Sequence, residues 1–350
     1  MKVEVIKKVL EKIQNPVTKK NLVESNSVEN ISTDNNSIHL TIAISNPAMH
    51  AKKRLDDAIR FHLGKHFGEN ITINIEYIKR TEEGKKERKL LREVKQVICI
   101  ASGKGGVGKS TVTMNIAGAL TKSGYKVGII DADIYGPSIP TMTDTADLKP
   151  SMVEVDGVKM IQPLDAQGLK IMSIGYFTDA TNAVVWRGPM ASKALNQLFT
   201  DVHWGALDFL LVDLPPGTGD IHLSLVQNVP IDGVVIVSTP QEVALADARR
   251  GIKMFQLDSI NVPILGLIEN MAWFTPEELP ENKYYIFGRD GVKNLAEGLN
   301  LPFLGSIPLL QGLRESCDVG NVSSLHNEHT GKYFDEITAN LLNGLSLIKK

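Results

Sequence analysis

The pattern of hydrophobic and polar positions changes once along the chain, near Val94. Before that point the pattern predicts a helix, a strand, a second helix and a second strand, read from the segments VEVIKKVLEKI, SIHLTIAI, MHAKKRLDDAIRFHLGKHF and ITINIEYI. This order predicts a small two-layer α/β domain over residues 1–79, with too little core for catalysis of its own. Residues 80–93, RTEEGKKERKLLRE, are mostly charged and predict a solvated linker.

From residue 94 to residue 350, short β-branched runs alternate with segments of helical length. The predicted strands are VICIAS, KVGIID, DFLLVDLP, GVVIVSTP, PILGLIEN and LPFLGSIP, and the helices include STVTMNIAGALTKSG and residues 242–256 and 291–298. Strands that read as unbroken apolar runs are buried on both faces of a sheet. The fold class predicted for this second domain is therefore α/β, with a doubly wound, mostly parallel sheet that binds ligands at the carboxyl ends of its strands.

Composition narrows the functional classes. The 350 residues have a net charge of −2, which gives no general indication of nucleic-acid binding, and their 43% hydrophobic and 22% charged content is typical of a globular enzyme. The two cysteines, Cys99 and Cys317, lie too far apart in sequence for a disulfide framework or a local CxxC motif. Without a signal-peptide pattern or a long apolar run, the sequence predicts a cytoplasmic protein with no membrane partner.

The segment GKGGVGKS fits the pattern G-x-x-x-x-G-K-[ST] between a predicted strand and a predicted helix. Such a loop turns its backbone N–H groups toward phosphate at the positive end of the helix, which predicts ATP binding. Lys109 would reach the β- and γ-phosphates, the Ser110 hydroxyl would bind Mg²⁺, and Thr111 would add a bond to the α-phosphate. The predicted nucleotide-binding residues of the loop are Gly103, Lys104, Gly105, Gly106, Val107, Gly108, Lys109, Ser110 and Thr111.

Acidic residues follow two of the predicted strands. Asp131 and Asp133 leave the strand KVGIID, and Asp213 ends the strand in DFLLVDLP. Carboxylates there can hold Mg²⁺ or orient the attacking water, so we assign Asp131 and Asp213 to the metal and Asp133 to catalysis. The turn after Asp213 presents the N–H of Gly217 to the γ-phosphate. Any of these aspartates can alternatively be a turn or cap residue.

Asn270 is predicted to close another strand at the same sheet edge. Its carboxamide offers one donor and one acceptor, which match N6 and N7 of adenine, although a loop cap is the alternative. The residues that follow, the aromatic segment at 273–285, include Trp273, Phe274, Tyr284 and Tyr285 among acidic residues. An aromatic-rich loop of this kind indicates a contact surface.

Six motifs together resemble the Mrp/ApbC-type P-loop ATPases, of the group that contains MinD, ParA and the nitrogenase iron protein. They are SGKGGVGKSTVTMNIAGAL, DADIYGPSIP, WRGPM, LLVDLPPGTGD, STPQEVALADARRG and IENMAWF with IFG, and the resemblance covers nearly all of residues 94–320. The early lysine, Lys104, resembles that of the deviant Walker A class, where it reaches the γ-phosphate bound by a partner subunit. The first domain resembles the small iron–sulfur-assembly domain that precedes many such ATPases.

The resemblance implies a homodimeric ATPase that carries iron–sulfur clusters, of the 4Fe–4S type, between scaffold proteins and apoproteins. Members of the family place a CxxC pair after the strand that ends in ENMSxF, but this chain reads TPEELPENKYY there. Relatives of the first domain often have a cysteine after its first predicted strand, but this chain has SNPAMHAKK there. Since clusters are normally held by thiolates, the implied ligand set is missing. Cys99 is expected inside a strand, partial exposure of Cys317 is an open alternative, and the pairs His62/His66 and His326/His329 are weaker metal candidates.

Two other functions stay open. The missing cysteines favour a nucleotide-switched scaffold or positioning ATPase that binds no cluster, as in the MinD and ParA group. The least favoured function is an electron-donating reductase, because its redox step requires a cluster held by thiolates. The C-terminal segment TGKYFDEITANLLNGLSLIKK has one apolar face, which we expect to dock on the ATPase domain rather than on a membrane.

Overall fold

The computed structural model describes residues 3–13, 21–25, 27–34, 37–44, 49–68, 71–79, 91–177, 188–219, 222, 225–226 and 229–348. The chain divides into two compact units, residues 1–87 and 88–350. The predicted linker falls mostly outside the described residues, as do Trp186 and Arg187 of the WRGPM motif.

The first unit packs two helices on one face of a three-stranded sheet. Its elements are α1 (Val3–Leu10), β1 (Val28–Asp34), β2 (Ser37–Ile44), α2 (Met49–Phe67) and β3 (Thr72–Lys79). The strand order is β1-β2-β3, with β1 antiparallel and β3 parallel to β2. The predicted order of four elements is wrong by one strand, because β1 is a polar edge strand, VENISTD, with no buried residue that would mark it in the sequence.

The second unit is built on an eight-stranded sheet. Its strands are β4 (Val94–Ala101), β5 (Val127–Asp131), β8 (Leu164–Ala166), β9 (Leu169–Ser173), β10 (Leu207–Asp213), β11 (Gly233–Ser238), β12 (Ile264–Phe274) and β13 (Phe303–Leu309). They lie in the order β13-β12-β11-β4-β10-β5-β9-β8. All neighbouring strands are parallel except β8 and β9, which are antiparallel. The strands β6 (Met152–Val155) and β7 (Val158–Ile161) form a separate hairpin.

The central strands are buried as their apolar runs predict: all six residues of β11 and all five of β5 are buried. The structure thus confirms the doubly wound, mostly parallel sheet. Strands β6 to β9, which lie between β5 and β10 in the chain, were not predicted from the sequence. These strands have three to five residues each, and the β6–β7 hairpin exposes Met152 and Val158, so hydrophobic periodicity gives little signal there.

Helices cover the sheet on both faces. They are α3 (Lys109–Lys122), α4 (Ile139–Met142), α5 (Gly188–Thr200), α6 (Glu242–Phe255), α7 (Gly291–Gly298), α8 (Gln311–Asp318), α9 (Ser323–His326) and α10 (Glu328–Ile348). The crossover β4–α3–β5 moves one way along the strand order and β11–α6–β12 moves the other way. Right-handed crossovers then place α3 and α6 on opposite faces.

The C-terminal helix α10 packs on the core of the second unit, which confirms the predicted docking. Phe334, Ile337, Leu341 and Leu345 are all buried in the main hydrophobic cluster. The side-chain amide of Asn340 also donates to the Leu304 carbonyl, 2.8 Å away, on the neighbouring strand β13. Among the described residues, no helix combines the length and the hydropathy that a bilayer crossing requires.

Candidate nucleotide site

The glycine-rich loop connects the end of β4 to the first turn of α3. Gly106 and Gly108 have φ values of 81° and 82°, in the left-handed region that favours glycine. A Cβ at Gly103 would overlap the backbone of Asp247 and Ala248 in α6, so this glycine allows the loop to lie against that helix. The loop residues from Lys104 to Thr111 line one open pocket together with Asp133. Loop, helix N-terminus and carboxylate therefore face a common space.

Asp213, at the end of β10, is fully buried and receives three side-chain donors from the described residues. Lys109 Nζ lies 2.7 Å and Ser110 Oγ 2.5 Å from Asp213 Oδ2, while Thr113 Oγ1 lies 2.7 Å from Oδ1. A buried carboxylate is stable only when it is paired and hydrogen-bonded, and this cluster provides both. Lys109 and Ser110, which we predicted to contact phosphate and Mg²⁺, thus both donate to Asp213, the predicted aspartate at the strand end.

Asp131 and Asp213 end neighbouring parallel strands and are directly paired in the register. Asp131 is fully buried and accepts hydrogen bonds from Ser173 Oγ at 3.0 Å, Ile139 N at 3.2 Å and Asp133 N at 3.2 Å. Burial, reinforced by the charge of Asp213, raises the pKa of Asp131 to about 7. The fold therefore favours the protonated form of this carboxyl group more than water does.

Asp133 is nearly buried beside the loop lysine. One of its carboxylate oxygens lies 3.7 Å from Lys109 Nζ, and the other accepts the backbone N–H of Tyr135 at 3.2 Å. Burial raises the pKa of Asp133, and the charge of Lys109 opposes that rise. The structure therefore brings Asp131, Asp133 and Asp213 together around Lys109.

Oxygen donors at this position suit Mg²⁺. The cation prefers carboxylate and hydroxyl oxygens, and it is usually held by one or two carboxylates together with phosphate and water rather than by a full protein cage. Ser110 Oγ and Asp213 Oδ2 already lie together, and Asp131 is next to them. In the part of the chain that the structure describes, no group of three histidine, cysteine or acidic residues is arranged as a complete metal cage. The donor set fits a nucleotide-linked Mg²⁺.

Three further predicted residues, Lys104, Gly217 and Asn270, lie in or near the loop but use backbone or side-chain groups to bond other parts of the protein. The Lys104 side chain is partly buried at the pocket, and its carbonyl accepts the Ser102 hydroxyl at 3.0 Å. The N–H of Gly217, which has a φ of 97°, donates to the Ser102 carbonyl at 3.0 Å, so γ-phosphate sensing requires that bond to open. Asn270 Nδ2 donates to the Val107 carbonyl at 2.8 Å and occupies the space beside Gly108. The adenine assignment of Asn270 stays a prediction.

Three of the described residues beside the site were not predicted from the sequence: Thr113, Ser173 and His222. Thr113 is one helical turn after Lys109 on the same helix face, a spacing that could have indicated it. Ser173 ends the missed strand β9. His222 is buried, and its Nε2 donates to the Pro215 carbonyl at 2.7 Å in the turn after Asp213; burial lowers its pKa. Short sequence patterns gave no signal for the last two.

The expected end of β12 at Asn270 is wrong. The strand continues to Phe274 through Met271, whose φ is 55°, so Trp273 and Phe274 belong to a strand rather than to a loop. Phe274 and Tyr284 exchange two backbone hydrogen bonds of 2.9 and 2.8 Å. Lys283 Nζ lies 4.2 Å from the centre of the Trp273 ring. The aromatic segment therefore begins as a continuation of β12, and Tyr284 near its far end pairs back to Phe274.

Neither cysteine is an exposed thiol. Cys99 is buried in β4 as predicted, and burial raises its pKa. The alternative that Cys317 is partly exposed does not hold, because its side chain on α8 is buried in the main hydrophobic cluster, and burial also raises its pKa. His62 and His66 lie on α2, each beside a phenylalanine ring, and His326 Nε2 lies 2.8 Å from Gln167 Oε1. These positions give no thiolate set for a cluster.

The sheet topology and the lysine-bearing loop define the chain as a P-loop nucleotide-binding protein. Comparison with known families goes further: the ParA family described as NUBPL iron-transfer P-loop NTPase matches residues 93–342, so the chain belongs to that family. A second family, described as iron-sulfur cluster assembly protein, matches residues 4–74. Both matches confirm the resemblances inferred from the motifs.

Individual relatives agree with this assignment. An iron-sulfur cluster carrier protein of Synechocystis is 40% identical over 316 residues, which cover 89% of this chain and 88% of the relative. The iron-sulfur cluster transfer protein NUBPL of mouse is 46% identical over 68% of this chain and 73% of its own. Among solved structures, a nucleotide-binding protein of Archaeoglobus fulgidus in complex with ADP is 37% identical, with a TM-score of 0.58 over 69% of this chain and 92% of its own. MinD of Pyrococcus furiosus, 20% identical with a TM-score of 0.52 over 71% of this chain and 99% of its own, shares the fold.

The raised pKa of Asp131 predicts a pH-dependent stability. The pKa of Asp131 in the folded protein, about 7, lies above the ordinary value of 3.8, so the folded state favours the protonated carboxyl. The contribution of Asp131 to the free energy of unfolding is therefore complete below the ordinary pKa and is lost as the pH rises to and through 7. The amide introduced by Asp131→Asn cannot ionise. The stability of this variant relative to the natural chain should therefore increase by a few kcal/mol from about pH 4 to about pH 8, at about 1.4 kcal/mol for each pKa unit. Denaturant unfolding without added metal or nucleotide measures this change.

The variant Asp208→Asn is the matched control. A hydrogen bond from Lys95 lowers the pKa of Asp208, so its contribution is lost only in acid. The stability difference for Asp208→Asn should therefore be constant above about pH 5. A difference for Asp131→Asn that is equally constant would contradict the assigned pKa of Asp131.

Proposed function

We propose that the chain is an ATP-hydrolysing, homodimeric carrier that delivers iron–sulfur clusters to apoproteins. The observation that carries this proposal is the combination of an iron-sulfur assembly unit and a P-loop unit in one chain, aligned over most of its length with proteins named as cluster carriers. The cluster is the cargo of the protein, and ATP is the substrate that the second unit turns over.

The site residues support ATP hydrolysis with distinct roles. Backbone N–H groups from Gly103 to Thr111 would hold the phosphates, and Lys109 would leave Asp213 for the β- and γ-phosphate oxygens. Asp133, two residues beyond Asp131 and close to Lys109, would orient the attacking water. Mg²⁺, held by Ser110 with Asp213 and Asp131 beside it, would neutralise charge on the phosphates. Asn270 would contact the adenine once its bond to Val107 opens.

Lys104 supports a dimeric form of this site. Its side chain lines the pocket but is partly exposed, and the loop already has Lys109 for the phosphates. We assign it the role that the deviant Walker A pattern implies, contact with the γ-phosphate held by a second copy. The exposed side chains of the aromatic segment and its flank, Leu279, Tyr284 and Ile286, favour a dimer or partner surface there.

Cluster binding requires ligands that differ from those of the CxxC pattern. The chain has two cysteines, and both are buried. A dimer would therefore offer no exposed thiolate, and a cluster in transit would depend on thiolates of the donor and acceptor proteins. The residues at the CxxC position, Thr275 to Tyr285, contribute none.

Anaerobic reconstitution with iron and sulfide tests the carrier function. We expect iron and acid-labile sulfide to pass from a donor protein to an apo-acceptor in the presence of the natural chain and ATP, with at most about four iron ions held by a dimer at any time. The Lys109→Ala variant should not support the ATP-dependent part of transfer. Analysis of iron by mass spectrometry and activation of the acceptor enzyme measure both quantities.

The second candidate is a nucleotide-switched scaffold or positioning ATPase without a cluster, which the absence of the CxxC pair favours. If the reconstituted protein neither holds iron nor accelerates transfer while it hydrolyses ATP normally, the carrier proposal fails and this candidate takes its place. Docking of α10 on the core argues against a membrane tether through that helix.

A further inference from the structure

Thr113 is a fully buried residue on α3, one turn beyond the loop lysine. Its Oγ1 lies 2.7 Å from Asp213 Oδ1 and 3.0 Å from the Lys109 carbonyl. A hydroxyl group has one proton to donate, and a bond to a carboxylate is stronger than a bond to a neutral carbonyl. The shorter distance agrees, so Thr113 donates to Asp213.

The two oxygens of Asp213 have different partners. Oδ2 receives Lys109 and Ser110, the two residues of the proposed ATP mechanism that must turn to phosphate and Mg²⁺. Oδ1 receives Thr113, which is fully buried and is not among the residues that line the pocket of the loop. Among the donors from described residues, Thr113 is therefore the one that keeps Asp213 in place when the other two leave. Such an anchor matters because the terminal torsion of an aspartate is broad and does not fix the carboxylate by itself.

We propose that Thr113 is a positioning residue for the Mg²⁺ site: it fixes the carboxylate of Asp213, whose Oδ2 would then be free to hold the metal. This inference rests on the proposed role of Asp213 in holding the nucleotide-linked Mg²⁺. Outer partners that orient metal ligands commonly contribute about 10- to 100-fold to metal affinity. Thr113 acts through Asp213 and does not touch the metal or the nucleotide.

The test is the Mg²⁺ dependence of nucleotide binding, measured with a fluorescent ADP analogue in the presence of Mg²⁺ and in excess EDTA. Thr113→Val keeps the shape of the side chain and removes the hydroxyl. We expect the Mg²⁺ concentration for half-maximal enhancement of binding to rise about 10- to 100-fold, with affinity in EDTA unchanged. Thr113→Ser, which retains a hydroxyl, should need nearly the same Mg²⁺ concentration as the natural chain. A higher Mg²⁺ concentration should restore nucleotide binding by Thr113→Val.

Thr121→Val is the matched control. Thr121 lies on the same helix, and its Oγ1 donates to the Ala117 carbonyl at 3.0 Å, four residues earlier, as Thr113 can to Lys109. Because Thr121 is far along α3 from Asp213, its replacement should leave the Mg²⁺ dependence as in the natural chain. Thermal unfolding of each variant shows whether it is folded, and Thr113→Ala replaces Thr113→Val if the valine does not fit.

Asp213→Asn separates failure of the inference from failure of the proposed site. If Asp213→Asn loses the Mg²⁺ response and Thr113→Val retains it at natural Mg²⁺ concentrations, the inference about Thr113 is overturned and the metal assignment stands. If Asp213→Asn responds to Mg²⁺ like the natural chain, both are overturned. Equal weakening of Thr113→Val in Mg²⁺ and in EDTA would show a distorted loop, which also overturns a role in metal positioning.

Discussion

Replacement of Lys109 by alanine should lower ATP turnover by about 10³-fold or more, as expected when a cation that stabilises the transferred phosphoryl group is removed. The structure adds a second effect. Lys109 is the cation 2.7 Å from the buried Asp213 and 3.7 Å from Asp133, with Asp131 in the adjacent strand. Its loss leaves carboxylates without their cation inside the fold, a change that costs about 3–5 kcal/mol of stability for a broken buried pair. Steady-state phosphate release and denaturant unfolding measure the two effects.

A second variant separates chemistry from folding. Lys109→Arg keeps a positive charge beside Asp213, so its stability should stay closer to that of the natural chain. The planar guanidinium cannot reproduce the compact ammonium inside the loop, and turnover should fall as strongly as in the alanine variant. Wild-type turnover by either protein would contradict the assignment of the phosphate site.

Lys122→Ala provides the matched control for Lys109→Ala. Lys122 ends the same helix α3 and pairs with Asp335 at 2.9 Å, but both side chains are more than two-fifths exposed. An exposed pair contributes about 1 kcal/mol or less. Turnover of Lys122→Ala should equal that of the natural chain, which would show that the effect of Lys109 depends on its place in the loop.

The sequence predicted the parallel sheet and the phosphate loop because each has a strong local signal. Buried strands such as β5 and β11 are unbroken apolar runs, and the loop pattern requires glycine where the backbone adopts a positive φ, as at Gly106 and Gly108. Strand ends also indicated Asp213 and Asp131, since the carboxyl ends of parallel strands meet at one edge of the sheet.

The polar edge strand β1 and the side-chain contacts between residues far apart in the sequence were not predictable in this way. Strand β1 has no buried residue in its pattern, and its place is fixed by pairing with β2 rather than by its own composition. The contact of Thr113 with Asp213 joins residues 100 positions apart, and that of Ser173 with Asp131 depends on a strand of five residues. Burial of Cys317 likewise depends on how α8 packs. Such contacts arise from tertiary packing, which local periodicity does not contain.

The continuation of β12 past Asn270 changes the interpretation of the aromatic segment. Its backbone is paired through Phe274 and Tyr284, and the Trp273 ring contacts Tyr333 on α10, with 6.4 Å between the ring centres. The segment starts three residues after Asn270, whose side chain holds the phosphate loop at the Val107 carbonyl. Strand β12 therefore joins the aromatic segment to the glycine-rich loop.

Lys104→Ala should lower ATP hydrolysis by about 10²- to 10³-fold and leave ADP affinity nearly unchanged, if Lys104 acts on the γ-phosphate in a second subunit. The side chain is partly exposed at the pocket, so its removal should also leave the unfolding temperature nearly as in the natural chain. This pattern differs from that of Lys109→Ala, which affects turnover and stability together. Full hydrolysis by Lys104→Ala would remove the deviant Walker A assignment.

Mixing the two inactive variants decides which subunit supplies Lys104. In a mixed dimer, the Lys104→Ala subunit retains Lys109 in its own loop, and the Lys109→Ala partner retains Lys104. Action across the interface therefore restores one site in each mixed dimer, about a quarter of the natural activity when equal amounts associate at random. Action within one subunit restores none, because each loop then lacks one of its lysines. Co-purification through a tag on one variant shows that mixed dimers are present, so an inactive mixture would place Lys104 in the loop of its own subunit.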